Sequence, residues 1–213
     1  MNQTPWDKHY TRERSVLMYP DENLVRMIKK HVAVKEAGSL SAVDLGCGTG
    51  RHLKMLSEAG IRNITGLDNS FNAVKICKES FSSFMVQGDN RHLPFKDLSF
   101  DIAVSWGSLH YCAKDFLPVQ MDEIYRVIAG EGCFFGTLRS ERDTYLKKGR
   151  DLGNGTWITD LSDIENSIVS FYSEDELNLY FKAFSKFEYG LIERTILGDM
   201  TKVISHWIFR AVK

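Results

Sequence analysis

Three glycines and a carboxylate stand close together in residues 42–51, AVDLGCGTGR. Val43 and Leu45 predict a short buried strand before the glycines, and residues 53–59 repeat apolar side chains at helical spacing after them. Glycine takes positive φ at no steric cost and lets a ligand lie against the backbone. The free N–H groups at the start of the following helix point over such a turn. The segment therefore predicts a strand, a ligand-binding turn and a helix.

The spacing of the glycines and the acid before them discriminate between ligands. A turn that binds a dinucleotide has the pattern G-x-G-x-x-G, with the pyrophosphate at the helix N-terminus. Glycines at 46, 48 and 50 instead give G-x-G-x-G, and Asp44 precedes them. A carboxylate there would repel a pyrophosphate and attract a cation. This pattern argues against a nicotinamide-dependent oxidoreductase.

Residues 43–50, VDLGCGTG, closely resemble the first motif of the class I S-adenosylmethionine-dependent methyltransferases. The resemblance extends over about residues 38–213 and implies S-adenosylmethionine as cofactor and S-adenosylhomocysteine as product. S-adenosylmethionine carries an ammonium and a sulfonium and no phosphate, which suits an acid before the turn. The cofactor contacts expected in this motif are Asp44, Gly46, Cys47, Gly48 and Gly50.

Asp68 ends a second predicted strand, residues 63–68, and follows Gly48 by 20 residues. That distance is typical of the acid that accepts the ribose hydroxyls of a bound nucleotide. A carboxylate accepts from the 2′- and 3′-hydroxyls together. The alternative role of Asp68, as the N-cap of a helix beginning near Ser70, is compatible with ribose binding. Asn69 is expected beside the adenosine.

A third acid, Asp89, ends the predicted strand 84–89. Residues 89–95, DNRHLPF, are similar to the third motif of the same methyltransferases. The resemblance implies that Asp89, with the adjacent Asn90 and Arg91, meets the adenine amino group. The other interpretation of Asp89 is an acid of a turn.

Residues 100–106 predict a fourth strand that is buried on both faces. Ligands lie beyond the carboxyl ends of parallel strands, which places Ser105, Trp106, His110 and Tyr111 at the active face. Amino-group methyltransferases of nucleic acids typically carry an Asn/Asp-Pro-Pro-Tyr/Phe signature there. Residues 105–111 read SWGSLHY, which argues against methylation of amino groups in DNA.

His110 is the candidate general base, since an imidazole with a pKa of about 6.5 suits proton removal at neutral pH. A hydroxyl acceptor would need such a base. An amine or carbon acceptor needs none, and His110 would then line the pocket. Tyr111 would orient the substrate or complete the core.

The remaining elements predict an α/β fold: a doubly wound, seven-stranded, mostly parallel sheet with helices on both faces and an antiparallel C-terminal hairpin. The expected hairpin strands are 187–195 and 201–212, and the resemblance supplies the strand order 3-2-1-4-5-7-6. Residues 139–170 predict a long irregular loop over the pocket, with Arg139 and Asp143 facing the substrate.

One methyltransferase domain, residues 1–213, is expected. Its parts are an N-terminal lid and first helix (1–37), a cofactor-binding core (38–138), the substrate-side loop (139–170), and a last helix with the hairpin (171–213). Among the N-terminal aromatic residues, Tyr19 is the one expected to cover the cofactor, since such segments often cover the site in these methyltransferases.

Composition narrows the function classes. The formal net charge is −1, and no strongly basic patch is visible, which argues against a nucleic-acid partner. The four cysteines form no C-x-x-C pair, and no histidine and carboxylate cluster has metal-ligand spacing. No signal peptide or 18-residue apolar run is found, so a cytoplasmic location is expected. The sequence predicts methyl transfer to a small molecule, such as a sugar or another polar metabolite; the alternative is a non-catalytic S-adenosylmethionine-binding module.

Overall fold

The computed structural model describes residues 5–81 and 83–213, so residues 1–4 of the expected N-terminal lid lie outside the described residues. The helices of the described part are α1 (Pro5–His9), α2 (Glu22–Val32), α3 (Arg51–Glu58), α4 (Phe71–Ser80), α5 (Leu117–Val127) and α6 (Glu174–Tyr180). The strands are β1 (Ser41–Leu45), β2 (Asn63–Asp68), β3 (Phe84–Gln87), β4 (Phe100–Ser105), β5 (Ile128–Arg139), β6 (Gly149–Gly153), β7 (Thr156–Thr159), β8 (Ser167–Ser170), β9 (Lys186–Ile196) and β10 (Asp199–Val212).

Seven of these strands form one sheet in the order β3-β2-β1-β4-β5-β10-β9. The strands from β3 to β5 run parallel, whereas β10 pairs antiparallel with both β5 and β9. This confirms the predicted order, because β9 and β10 are the sixth and seventh strands of this sheet. The strand order reverses between β1 and β4, and the glycine turn follows β1 at this point.

The central strands are buried because both faces of the sheet are covered. Side chains alternate along β1: Val43 and Leu45 belong to one apolar cluster and Ala42 to the other. The first cluster packs β1, β4 and β5 against α5 and α6, through residues such as Ile124 and Phe181. The second packs the same strands against α2, α3 and α4.

Helices α2 and α6 begin at side-chain caps. Asp21 accepts from the Asn23 backbone N–H at 2.9 Å, and α2 then ends at Val32 rather than near residue 37. Ser173 and Glu176 form a capping box at the start of α6.

The prediction of an irregular loop over residues 139–170 was wrong in part. Strands β6, β7 and β8 form a separate antiparallel sheet within it. These strands have four or five residues, and all of β6 is exposed, so no apolar alternation reveals them. The sheet packs through its own apolar cluster, which includes Leu146, Val169 and Phe171, and Trp6 and Tyr111 pack against that cluster.

Gly136 of β5 provides a test of the packing at the centre of the sheet. A Cβ added there would lie 2.6 Å from Phe209 Cζ and 2.7 Å from the Ser105 carbonyl oxygen. We expect Gly136→Ala to lower the free energy of unfolding by about 1–3 kcal/mol, because a backbone oxygen cannot move aside. Urea unfolding measures this change. The matched control is Gly130→Ala in the same strand, where an added Cβ meets nothing within 4 Å; equal losses in both variants would contradict the packing argument.

Candidate cofactor and substrate site

The glycine turn after β1 depends on glycine at each of its three positions. Gly46, Gly48 and Gly50 have φ values of 75°, 54° and 90°. The Gly46 and Cys47 N–H groups donate to the Leu67 carbonyl oxygen at 2.7 and 3.0 Å, which ties the turn to β2. A Cβ on Gly46 would lie 2.3 Å from Ser108 Cβ, and one on Gly48 would lie 2.6 Å from the Tyr10 hydroxyl.

Asp68 joins this turn to the next strand and helix. Its carboxylate accepts from the Gly48 N–H at 2.8 Å and from the Ser70 N–H at 2.9 Å. Burial raises the pKa of Asp68, while these two backbone hydrogen bonds lower it. The N-cap of α4 is Ser70, whose hydroxyl accepts from the Ala73 N–H, rather than Asp68, the N-cap considered from the sequence. Asp68 therefore supports the N-cap through the backbone of Ser70 and leaves remaining lone pairs toward the cavity it lines.

A first cavity, of about 360 Å³, opens beside Asp68. Its wall contains Asp68, Asn69, Asp89, Asn90 and Arg91, as the sequence predicts for one binding region. Residues that the sequence argument missed complete it: Ser108, Cys112, Phe116, Gln120, Ser167 and Ile168. The last two come from β8, and no sequence signal connects that strand with the cavity.

Asp89 already has a partner in this cavity. Its carboxylate accepts from the Arg91 backbone N–H at 2.8 Å and from the Arg91 guanidinium, which holds the pKa of Asp89 below its usual range. The neighbouring Asn90 has a buried side-chain oxygen that accepts no hydrogen bond from the described residues. An acceptor for an amino group is thus present in Asn90 as well as in Asp89.

A second cavity, of about 310 Å³, lies on the other side of the glycine turn. The two cavities share the wall residues Trp6, Tyr10, Gly46, Gly107 and Tyr111. The second also contains Cys47, Gly48 and Trp106 of the predicted cofactor site, and His110 and Arg139 of the predicted acceptor site. His206 of β10 and Ile164 complete this wall and were not foreseen.

His110 is fully buried at the second cavity. Burial, together with the charge of Arg139 and the nearby His206, lowers the pKa of His110 well below its usual value. Burial and the charge of Arg139 also lower the pKa of His206, to about 3. Both imidazoles are therefore neutral at pH 7 and able to accept a proton, although their basicity in this environment is low.

Arg139 and Asp143 lie together, but only Arg139 lines a cavity. Arg139 Nη1 donates to Asp143 Oδ2 at 2.5 Å. Asp143 is fully buried and also accepts from the backbone N–H groups of Leu146 and Ser205 at 2.9 and 3.0 Å. The expected substrate contact of Asp143 is thus corrected: its carboxylate positions Arg139 and joins the end of β5 to β10.

The aromatic cover of the site is Trp6 and Tyr10 rather than Tyr19. Tyr19 is 81% exposed and lines neither cavity, which corrects its predicted position. Trp6 and Tyr10 line both cavities, and the Trp6 ring packs edge-on to Tyr111 with 4.6 Å between ring centroids. Helix α1 and the residue after it place Trp6 and Tyr10 there. The backbone of Tyr19 also lies beside the turn, since its carbonyl oxygen accepts from Arg51 Nη1 at 3.3 Å, but its ring is exposed.

Asp44 and Ser105 lie beneath the cavities instead of lining them. Both oxygens of Asp44 are buried without a hydrogen-bond partner, and burial raises its pKa to about 7. His52 Nδ1 lies 3.9 Å from Asp44 Oδ2. The Ser105 hydroxyl is hydrogen-bonded to the Leu45 carbonyl oxygen at 3.1 Å and to Ser108. Ser105 therefore connects β4 to β1 below the turn.

The part of the chain that the structure describes contains neither a metal-binding cluster nor a membrane-spanning helix. No group of three or more histidine, cysteine, aspartate or glutamate residues within them is arranged to hold a metal ion. None of the helices found in residues 5–81 and 83–213 is long and apolar enough to cross a membrane.

The sequence of this chain is similar to sequences of known methyltransferases. A family model described as a methyltransferase domain matches residues 43–136. A demethylmenaquinone methyltransferase of Staphylococcus aureus is 31% identical over 133 residues, covering 59% of this chain and 53% of that protein. "Probable tRNA methyltransferase 9B" of Mus musculus is 34% identical over 106 residues, covering 49% of this chain and 23% of that protein. The chain thus spans about half or less of the length of these curated relatives.

A solved structure of S-adenosylmethionine-dependent methyltransferases from Methanosarcina mazei has the same fold. Its TM-score with this chain is 0.68 at 18% sequence identity, and the alignment covers 86% of this chain and 96% of the other.

The unpartnered carboxyl of Asp44 gives a prediction on pH and stability. A folded-state pKa of about 7, raised from 3.8, favours the protonated form, so the free energy of unfolding falls as pH rises toward 7. Asp44→Asn removes this dependence. We expect its stability relative to wild type to increase by about 2–3 kcal/mol between pH 5 and pH 8. Urea unfolding at pH 5 and pH 8 measures this change in stability. Asp122→Asn, which replaces an exposed acid of α5, is the control. A stability difference between Asp44→Asn and wild type that is the same at both pH values would show that Asp44 stays ionised.

The aromatic cover gives a second prediction, on ligand affinity. Tyr10→Ala removes a ring and a hydroxyl that lie against Gly48, so we expect the Kd for S-adenosylhomocysteine to rise about tenfold. Tyr19→Ala, the matched control, should leave the Kd unchanged because Tyr19 contacts neither cavity. Calorimetric titration measures both variants. The reverse pattern would mean that Tyr19 covers the ligand.

Proposed function

We propose that the chain is a class I S-adenosylmethionine-dependent methyltransferase that transfers a methyl group to a small polar acceptor and releases S-adenosylhomocysteine. The observation that carries this proposal is the pair of cavities that meet at the glycine turn, with Asp68 between the turn and the first cavity. Their sizes, about 360 and 310 Å³, are in the range of small-molecule sites.

The first cavity fits the adenosine part of the cofactor. Asp68 offers carboxylate oxygens for the ribose hydroxyls, and the buried oxygen of Asn90 and the Asp89 carboxylate offer acceptors for the adenine amino group. Gly46 lines this cavity, and Gly46 and Gly48 supply the positive φ values that the turn requires. The space that a Cβ would fill at these two glycines is occupied by Ser108 and by the Tyr10 hydroxyl. The methionine part would then lie toward the second cavity, near Asp44 and the N-terminus of α3.

When bound, the cofactor would supply an activated methyl group on a sulfonium: a lone pair of the acceptor would form a bond to the methyl carbon as the C–S bond breaks, and the sulfur would leave as the thioether of S-adenosylhomocysteine. The contribution of this chain is chiefly to align the two reactants, and alignment lowers such barriers by roughly 7–11 kcal/mol at best. A hydroxyl acceptor also needs to lose a proton, and His110 is the candidate that receives it. The lowered pKa of His110 disfavours a strong base and so favours an acceptor whose own proton is acidic.

The enclosure of the second cavity supports a small acceptor. Three aromatic residues line both cavities and so lie where the two meet: Trp6 of α1, Tyr10 just after α1, and Tyr111. His206 of β10 lines the second cavity. A net charge of −1 offers no general attraction to phosphate backbones. One relative carries a tRNA methyltransferase name, so transfer RNA serves as the contrasting acceptor in the test below.

Cofactor binding is tested first, by calorimetric titration with S-adenosylmethionine and S-adenosylhomocysteine. We expect micromolar Kd values for the wild type. Asp68→Ala should weaken binding at least about 100-fold, roughly 2.8 kcal/mol, because it removes the ribose acceptor and loosens the turn at Gly48. Asp122→Asn, an exposed acid of α5, is the control and should bind as the wild type does.

Acceptor class is tested next, with radiolabelled S-adenosylmethionine and separate pools of small metabolites and transfer RNA. Label transferred to the metabolite pool supports the proposal. Transfer to RNA alone would overturn the small acceptor, and cofactor binding without transfer to any pool would support a non-catalytic binding module. Unchanged affinity in Asp68→Ala would overturn the ribose assignment.

A further inference from the structure

The far wall of the second cavity carries a buried guanidinium with an unused donor. Arg139 is the last residue of β5 and is 7% exposed. Its Nη1 donates to Asp143, while its Nε is buried and has no hydrogen-bond partner among the described residues. A buried donor of this kind costs free energy unless a ligand satisfies it. Arg139 therefore faces the cavity with hydrogen-bonding capacity that the protein itself does not use.

Two imidazoles stand beside this guanidinium. His110 is fully buried, and neither of its ring nitrogens is hydrogen-bonded to a described side chain. The backbone of Thr137 lies near the ring and partly offsets the lowering of the His110 pKa. The His206 ring lies 5.8 Å from it between centroids, and both histidines line the same cavity as Arg139. A neutral imidazole donates one N–H and accepts at the other nitrogen. Together the three side chains offer several donors to one ligand group.

The charges favour a ligand group that bears one negative charge. Asp143 neutralises Arg139, and its two backbone hydrogen bonds to Leu146 and Ser205 hold that pair in place. At Arg139, a doubly charged phosphate would add two negative charges beside a guanidinium that Asp143 already neutralises. The other arginine of this cavity, Arg51, begins α3 directly after the glycine turn. A carboxylate adds one, and it matches the planar donors of a guanidinium.

The rest of the cavity wall suits an apolar or aromatic body. Trp6, Trp106 and Tyr111 line it, together with Leu17 and Ile164. Aromatic walls bury a flat ligand, and a few polar groups fix its orientation.

We propose that the methyl acceptor carries a carboxylate on an aromatic or apolar body, and that Arg139, with His110 and His206, binds this carboxylate in the second cavity. This inference rests on the proposed function, because it names the acceptor class of the same site. The carboxylate is the group by which the acceptor is held. Its lone pairs are engaged by the donors of the wall, so another atom of the acceptor receives the methyl group.

The test uses defined probes and the full chain. Benzoate and phenylacetate are titrated calorimetrically into the protein saturated with S-adenosylhomocysteine, alongside their neutral amides, benzamide and phenylacetamide. We expect at least one carboxylate to bind about tenfold more tightly than its amide. A saturated cofactor site is needed because the carboxylate of the cofactor itself is the competing occupant of Arg139.

Variants identify the side chains responsible. Arg139→Gln/Asp143→Asn removes both charges together, so no unpaired charge stays buried, and thermal unfolding checks that the variant folds. It should lose the preference for carboxylates over amides. His206→Asn, at a half-buried position, should weaken carboxylate binding several-fold without affecting the amides. Arg142→Gln is the matched control: it removes an exposed arginine that pairs with Glu193, outside both cavities, and should leave the preference intact.

The outcomes separate the two proposals. Equal binding of carboxylates and amides, or binding of neither, overturns the carboxylate site. Carboxylate binding only in the absence of S-adenosylhomocysteine also overturns it, because Arg139 would then belong to the cofactor site. Failure of S-adenosylhomocysteine itself to bind contradicts the proposed function instead, and it is seen in the first titration before any probe is added.

Discussion

The site depends on one carboxylate that joins two loops. Asp68 accepts hydrogen bonds from Gly48 in the turn after β1 and from Ser70 at the start of α4. Parallel strands place these loops at the same edge of the sheet, but only a link across them fixes their relative position. Because the carboxylate is nearly buried, its backbone donors also reduce the free-energy cost of its charge. The first cavity therefore has a fixed shape on the side where β1 and β2 end.

The second cavity is organised by a different electrostatic arrangement. The ion pair of Arg139 with Asp143 lies in the wall of this cavity, where backbone hydrogen bonds hold Asp143 in place. The two histidines beside the ion pair, His110 and His206, stay neutral. A buried ion pair contributes little net stability, whereas an unpaired buried charge costs several kcal/mol. The pair is thus better explained by the position it gives Arg139 than by the stability it adds. The same guanidinium charge, together with burial, lowers the pKa of His110.

The sequence predicted the cofactor half of the site because its residues are local. The turn at Gly46, Gly48 and Gly50 and the acid at Asp68 occupy the ends of consecutive strands, and their spacing follows directly from the strand–helix–strand unit. The strand order was likewise confirmed through the final hairpin. The direction of individual side chains could not be predicted as well from the sequence. Asp44 lies in the predicted strand, but its carboxyl is buried beneath the turn, where burial raises its pKa to about 7.

The sequence predicted only part of the second cavity, His110, Tyr111 and Arg139, because the rest of its wall is assembled from distant segments. Trp6 lies on a five-residue helix, Ile164 in the segment between β7 and β8 and His206 on the fourteen-residue strand β10, and none of them has a characteristic spacing to the glycine turn. Short elements of this kind are stable only through tertiary packing, so local patterns reveal them poorly. The consequence is functional as well. A sheet that holds the cofactor by local geometry leaves α1 and strands β6 to β8 free to change with the acceptor, and specificity is then determined where the sequence is least informative.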